Sequence, residues 1–206
     1  MFEFWNGLAS VVNQLTVAQW ASLAEWLGAA AGVVYVLGAA QELTWCWWAS
    51  LLSTSLYAFV FGHAGLWGQA GLQLYYVPAS LYGYFVWRGK TDPVVIAWLP
   101  RRHALSWAAA GVVLSVAVWW GLGAFGIDES ILDVLTTVGS LIATYLMSIK
   151  KIDSWVFWIV IDATIAALCV QQHLWVTSLL YGSFIGLAVF GFRQWQRSVV
   201  EPSGEG

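Results

Sequence analysis

Trp155 and Trp158 repeat Trp45 and Trp48 at a distance of 110 residues, and the same offset carries Tyr35 onto Tyr145. Further along the chain the offset is 108 and holds across a whole segment: Leu66 onto Leu174, Trp67 onto Trp175, Gly83 onto Gly191 and Trp87 onto Trp195. A slip of two residues in the loop between Phe61 and Leu66 reconciles the two registers. A unit repeated at this length commits the chain to two related bundles, because each copy has to bury the same faces.

What surrounds such a unit follows from composition. With 60% apolar residues, 9% charged residues and a mean hydropathy of +0.72, the chain lies far from a soluble globular domain and reads as a membrane protein. Runs of about 20 apolar residues, enough to cross a bilayer, fall seven times: 21–40, 43–61, 65–87, 104–125, 131–149, 154–170 and 174–192. The segment 1–20, with Phe2, Phe4, Trp5, Leu8, Val11, Val12 and Leu15, is expected to lie as an interfacial helix. It lacks the basic start and small-residue cleavage site of a signal peptide.

The eight basic residues assign sides. Arg88, Lys90, Arg101 and Arg102 follow span three, Lys150 and Lys151 follow span five, and Arg193 and Arg197 follow span seven. The loops after spans two, four and six hold none and carry Asp128, Glu129 and His173. By the positive-inside rule the N-terminus is outside and the C-terminus cytoplasmic, which seven spans satisfy and six would not. The net charge of −3 says little beside this asymmetry and gives no sign of a nucleic-acid partner. Cys46 and Cys169 fall near the ends of different spans, so no disulfide is expected, and nothing around them has metal-ligand spacing. No cofactor is expected.

The repeat pairs spans one to three with spans five to seven. Corresponding spans are an even number of crossings apart, so the two units run the same way through the membrane. The expected fold class is therefore an all-α membrane protein with seven transmembrane helices in a 3+1+3 parallel repeat, SWEET-like. Its expected parts are the segment 1–20, a first bundle 21–88, a linker with span four 89–126, a second bundle 127–195 and a tail 196–206. Span four has no buried charge, and Trp119 and Trp120 anchor its outer end.

Asp162 is the sharpest candidate for chemistry. Span six enters near Asp153, so at about 1.5 Å per residue Asp162 lies roughly 13 Å deep, near mid-bilayer. A carboxylate there costs on the order of 3 kcal/mol unless it faces protein, water or a cation. Trp155, Trp158 and Asp162 follow i, i+3, i+7 spacing and share one helix face. An aromatic surface ending in a carboxylate suits a flat, positively charged ring; the competing reading is an interhelical hydrogen bond from a protonated or paired Asp.

Gln73 lies at mid-depth in span three, where its amide suits a hydroxyl or carboxamide ligand and equally suits interhelical bonding. Ser53 and Tyr57 share a face of span two, Thr144, Tyr145 and Ser148 line a polar side of span five, and Tyr181 holds in span seven the place of Gln73. With Trp48 and Tyr76 these complete the candidate binding set, each of them open to a packing reading. Glu25 and Asp133 complement helix starts, and Pro78 kinks span three. Gly89-Lys90-Thr91 is not a phosphate loop, since position 84 is Tyr84 rather than glycine.

At these residues the chain resembles the PnuC family of bacterial vitamin transporters, typified by nicotinamide riboside carriers. The resemblance rests on Glu25, Gly32, Leu72-Gln73, Tyr82-Gly83 and Trp87 in the first half, and on Trp155, Trp158, Tyr181 and Trp195 in the second. It implies a three-one-three fold, a substrate site between the bundles, and facilitated diffusion drawn inward by a cytoplasmic kinase that traps the substrate. The chain departs at Ser53, Ser80 and Asp162, where asparagines are usual in the riboside carriers, and a thiamine-carrying branch is the alternative. Both vitamins are flat cations.

Three functions compete: a uniporter for nicotinamide riboside or thiamine in the bacterial inner membrane, a proton-coupled carrier that titrates Asp162, and a receptor or scaffold that uses the aromatic excess for protein contacts. Association of several copies is compatible with each. An enzyme is disfavoured for want of a nucleophile and base at workable spacing. Function is expected where the two copies differ; under the 110 offset Asp162 corresponds to Leu52, and under the 108 offset Gln73 corresponds to Tyr181.

Overall fold

The structure, a computed structural model, describes residues 17–65, 67–89, 94–171, 173 and 175–199. Among them lie seven helices: α1 (Val17–Ala40), α2 (Cys46–His63), α3 (Trp67–Arg88), α4 (Arg101–Ala124), α5 (Ile131–Ser148), α6 (Asp153–Gln171) and α7 (Trp175–Ser198). The expected interfacial segment lies outside the described residues except for 17–20, which open α1; the expected tail is described only to Val199. Lys90 of the charge pattern and Leu66 and Leu174 of the repeat also lie outside them.

In a bilayer every backbone polar group has to be satisfied within the chain, so runs of Leu, Ala, Val and aromatic residues fold as helices. Four of the seven, α1 from Gln19, α4, α5 and α6, are long and apolar enough to cross a membrane by composition alone. In α2, α3 and α7, serine, threonine, tyrosine and glycine dilute the apolar content. These three pack along the other helices.

Helices α1, α2, α3, α5, α6 and α7 form a ring. Within each bundle the middle helix, α2 or α6, packs against both flanking helices, and the bundles meet along two seams, α3 against α5 and α1 against α7. Helix α4 packs on the outside of α5. The strand-like segment after α3 is tied under α6, with the Ala97 amide donating to Lys150 O at 3.2 Å and the Leu99 amide to Asp153 Oδ2 at 2.8 Å.

Matched contacts give the register between the halves. A Cβ on Gly83 would lie 2.4 Å from the Trp47 ring, and a Cβ on Gly191 would lie 2.4 Å from the Trp155 ring, so each indole needs the glycine opposite it. Trp47 meets Trp87 edge to face at 5.4 Å and 88°, and Trp155 meets Trp195 at 5.5 Å and 88°. Helix α1 ends with the Leu43 amide bonding Gly38 O at 2.9 Å, and α5 ends with the Lys151 amide bonding Leu146 O at 2.8 Å. Glu42 and Lys150 take the left-handed turn position in these Schellman closures, with φ of 58° and 52°. Gly65 and His173 are likewise left-handed after α2 and α6.

Every one of these pairs is 108 residues apart, so no slip separates the registers. The offset of 110 in span two is corrected to 108: the counterpart of Trp155 is Trp47, not Trp45, and Trp45 and Trp48 are both half-exposed. Tyr145 is likewise not the counterpart of Tyr35. Tyr35 packs inward on Trp47, whereas Tyr145 packs against Tyr82 and Trp107. A string reading Trp45-Cys46-Trp47-Trp48 offers three indoles to match, and only packing against glycine picks one.

Candidate functional site

Trp155, Trp158 and Asp162 line a cavity of about 270 Å³ together with Tyr181, Phe184, Leu187 and Ala188 of α7, Gly32, Tyr35, Val36 and Ala39 of α1, and Met147 of α5. It lies at the seam between the bundles, where α1 of the first faces α6 and α7 of the second. The i, i+3, i+7 spacing on α6 accounts for the shared face. On the α1 side Gly32 lets the helix approach α2, where an added Cβ would lie 3.3 Å from Ser53 Oγ.

Asp162 is 7% exposed and makes no hydrogen bond or ion pair among the described residues. Nothing in the described protein therefore offsets the cost of its charge, on the order of 3 kcal/mol in a membrane interior. The indole N–H groups of Trp155 and of Trp47 in the other half are likewise buried without a hydrogen-bond partner among the described residues. One wall thus offers an aromatic surface and an uncommitted acceptor.

Applying the 108 offset to that wall gives its counterpart in the first half. Trp158 and Asp162 become Ser50 and Thr54; Tyr181, Phe184 and Ala188 become Gln73, Tyr76 and Ser80; Gly32 and Val36 become Ser140 and Thr144. The counterpart of Asp162 is therefore Thr54 rather than Leu52. Its polar groups are largely occupied by one another: Ser50 Oγ lies 2.8 Å from Ser80 Oγ, Ser80 Oγ donates to Tyr76 O at 2.8 Å, and the Thr144 hydroxyl donates to Ser140 O at 2.8 Å. The Tyr76 hydroxyl lies against those of Ser140 and Thr144. Hydroxyls that close on the backbone and on each other tie α2, α3 and α5 together. The unpartnered carboxylate is on the Asp162 side, while the Trp47 indole N–H is unpartnered on the other among the described residues.

The remaining expected site residues are spread around the ring. Ser53 is buried and donates to Gly28 O at 2.8 Å, which ties α2 to α1. Tyr57 stacks on Phe61 at 5.4 Å and fills the space beside Gly28. Gln73 is half-buried, does not line the cavity, and makes no side-chain hydrogen bond among the described residues. Trp48 leans on Tyr84 with ring centroids 4.9 Å apart, away from Asp162's wall, and Tyr145 is on the outer side of α5. The structure thus brings together four of the expected eleven, Trp155, Trp158, Asp162 and Tyr181.

Tyr35, Phe184 and the small residues Gly32 and Ala188 were not among the expected contacts. A correct register in span two was the signal that could have exposed the wall and its counterpart. A larger groove of about 410 Å³ lies between α4, α5 and α6, but its lining is apolar apart from Thr136 and Thr164, whose hydroxyls donate to Asp133 O and Val160 O. It faces outward from the ring and offers no chemistry.

A ring of helices around a small internal cavity, several of them apolar enough to span a bilayer, belongs to a multi-pass membrane transporter rather than an enzyme. Residues 22–197 match the family described as nicotinamide mononucleotide transporter. The chain belongs to that family. It is 26% identical to nicotinamide riboside transporter PnuC of Escherichia coli (strain K12) over 210 residues, 86% of each chain. It is 31% identical to PnuC of Neisseria mucosa, covering 75% of this chain and 65% of that one. It is also 24% identical to the riboflavin/roseoflavin transporter RibM of Streptomyces davaonensis, covering 79% of each. Among solved structures, the crystal structure of the vitamin B3 transporter PnuC matches with a TM-score of 0.70 at 26% identity, over 96% of this chain and 89% of that one.

Proposed function

We propose that this chain carries a flat cationic vitamin precursor, nicotinamide riboside, across the inner membrane by facilitated diffusion. The observation that carries the reading is Asp162, a buried carboxylate without a partner among the described residues, on the same helix face as Trp155 and Trp158 and lining the cavity. A pyridinium ring supplies the missing countercharge and stacks on indole through cation–π attraction worth about 1–2 kcal/mol when desolvated. The riboside-carrying PnuC relatives agree with this substrate class.

The binding set is then Asp162, Trp155, Trp158, Tyr181 and Tyr35, with Gln73, Tyr76, Thr144, Ser53, Tyr57, Trp48 and Tyr145 acting through packing of the ring. The two bundles, 21–88 and 127–195, rock about the linker with span four. The basic loops face the cytoplasm, where a kinase consumes the substrate and keeps uptake downhill. Thiamine is the second reading, favoured by a carboxylate where asparagine is usual in the riboside carriers. Proton coupling through Asp162 is the third, since an unpartnered carboxylate also binds a proton.

Calorimetric titration of the purified protein with nicotinamide riboside, thiamine and riboflavin decides among substrates. Tight binding of the riboside alone is expected; tight binding of thiamine instead moves the chain to that branch, and binding of none removes the reading. RibM makes riboflavin a necessary arm, although a neutral ring system brings no countercharge to the carboxylate.

A further inference from the structure

The cavity is floored by Ala39, Met147 and Trp155, and beyond that floor lies a buried cluster that includes Trp47, Trp87, Trp155 and Trp195. Four tryptophans stand in a row across the ring. Centroid separations are 5.4 Å from Trp47 to Trp87, 6.0 Å from Trp87 to Trp195, and 5.5 Å from Trp195 to Trp155. The middle contact joins one bundle to the other.

Both middle indoles also bond across a seam. Trp87 Nε1 of α3 donates to Ser148 O at the end of α5, and Trp195 Nε1 of α7 donates to Ala39 O at the end of α1, each at 3.0 Å. These carbonyls belong to the last turns of their helices, where backbone acceptors lack a partner further along the helix.

Between the two Schellman turns, Lys150 Nζ lies 3.1 Å from Glu42 Oε2. Lys150 Nζ is also 4.8 Å from the centre of the Trp87 ring. Glu42 and Lys150 hold the same place in the two halves, 108 residues apart, with opposite charge. A pair at equivalent positions sits astride the relation between the bundles, so any motion that separates them stretches it.

We propose that the Trp87–Trp195 contact, with its two crossed indole bonds, is the cytoplasmic gate of this transporter, closed in this structure, and that the Glu42–Lys150 pair is its latch. Substrate leaving the cavity toward the basic loops has to part Trp87 from Trp195, which breaks both seam bonds and the ion pair together. The side chains of Lys150 and Glu42 are 12% and 33% exposed. Water therefore receives both charges when the seam opens, and the latch favours closure without forbidding release. The assignment to the cytoplasm rests on the transport reading and orientation given above; the existence of the gate does not.

A reporter cysteine tests it without a ligand. With Cys46 and Cys169 replaced by alanine, Ala188→Cys places a thiol on the cavity wall, and a membrane-impermeant maleimide is applied to inverted or right-side-out vesicles. Glu42→Lys and Lys150→Glu are each expected to raise labelling from the cytoplasmic side roughly three- to fivefold, the scale of a part-exposed ion pair turned to repulsion. The double exchange Glu42→Lys/Lys150→Glu is expected to bring it most of the way back to the parental rate, short of it by the Lys150–Trp87 contact that the exchange gives up, a recovery a merely misfolded variant would not show. Unchanged labelling in both single variants, or no recovery in the double exchange, overturns the latch. A rise confined to right-side-out vesicles overturns its cytoplasmic placement. Because no substrate is present, failure of the riboside assignment leaves these readouts intact.

Discussion

Replacing Asp162 with asparagine keeps the shape of the side chain and removes its charge. If a cation is the partner, affinity for nicotinamide riboside falls about tenfold or more in calorimetry, about 1.4 kcal/mol; an unchanged Kd would show that the carboxylate serves packing. Trp158→Ala should lose a comparable amount through its missing ring face. At Gly83 and Gly191 the issue is space: an added Cβ would lie 2.4 Å from Trp47 or Trp155. Gly83→Ala and Gly191→Ala should each destabilise by about 1–3 kcal/mol, read as a lower midpoint of thermal unfolding in detergent. Asp162 was legible in the sequence because charge is rare at that depth. Trp47 was not, because an indole's name does not reveal which of three neighbours faces the glycine.

At the scale of elements, α4 stands apart. Val113 is 69% exposed, while Gly111 is buried with the Ile142 methyl 2.9 Å from the position of its missing Cβ. Val113→Leu should leave uptake and thermal stability unchanged, whereas Gly111→Leu should lower the unfolding midpoint by forcing α4 away from α5; equal effects would remove the lipid-facing reading of this helix. The apolar runs announced the helices, since a bilayer leaves the backbone few alternatives. Their register was less visible: Ser53 and Tyr57 looked like a ligand-facing pair, but Ser53 is spent on Gly28 O and Tyr57 fills the space that glycine leaves.

The whole molecule is a ring whose two halves use the same contacts for folding and different side chains at the centre. If it carries its substrate by facilitated diffusion, as proposed, it needs no second site for a driving ion. Counterflow of labelled nicotinamide riboside into proteoliposomes should therefore proceed without a pH gradient and be insensitive to an imposed one; dependence on it would favour proton coupling through Asp162. By itself the sequence determined that the chain lives in a membrane and that it is helical, and it pointed to a unit written twice and to Asp162 as a charge out of place at its depth. Those conclusions follow from hydrophobicity and helical periodicity, which act locally along the chain. Tertiary structure alone decided that the register is 108 throughout, that Tyr35 joins Asp162 while Gln73 and Trp48 do not, and that Glu42 meets Lys150. Each of these depends on which faces of helices distant in sequence come together, and packing against a glycine or across a seam is a property of the pair rather than of either residue.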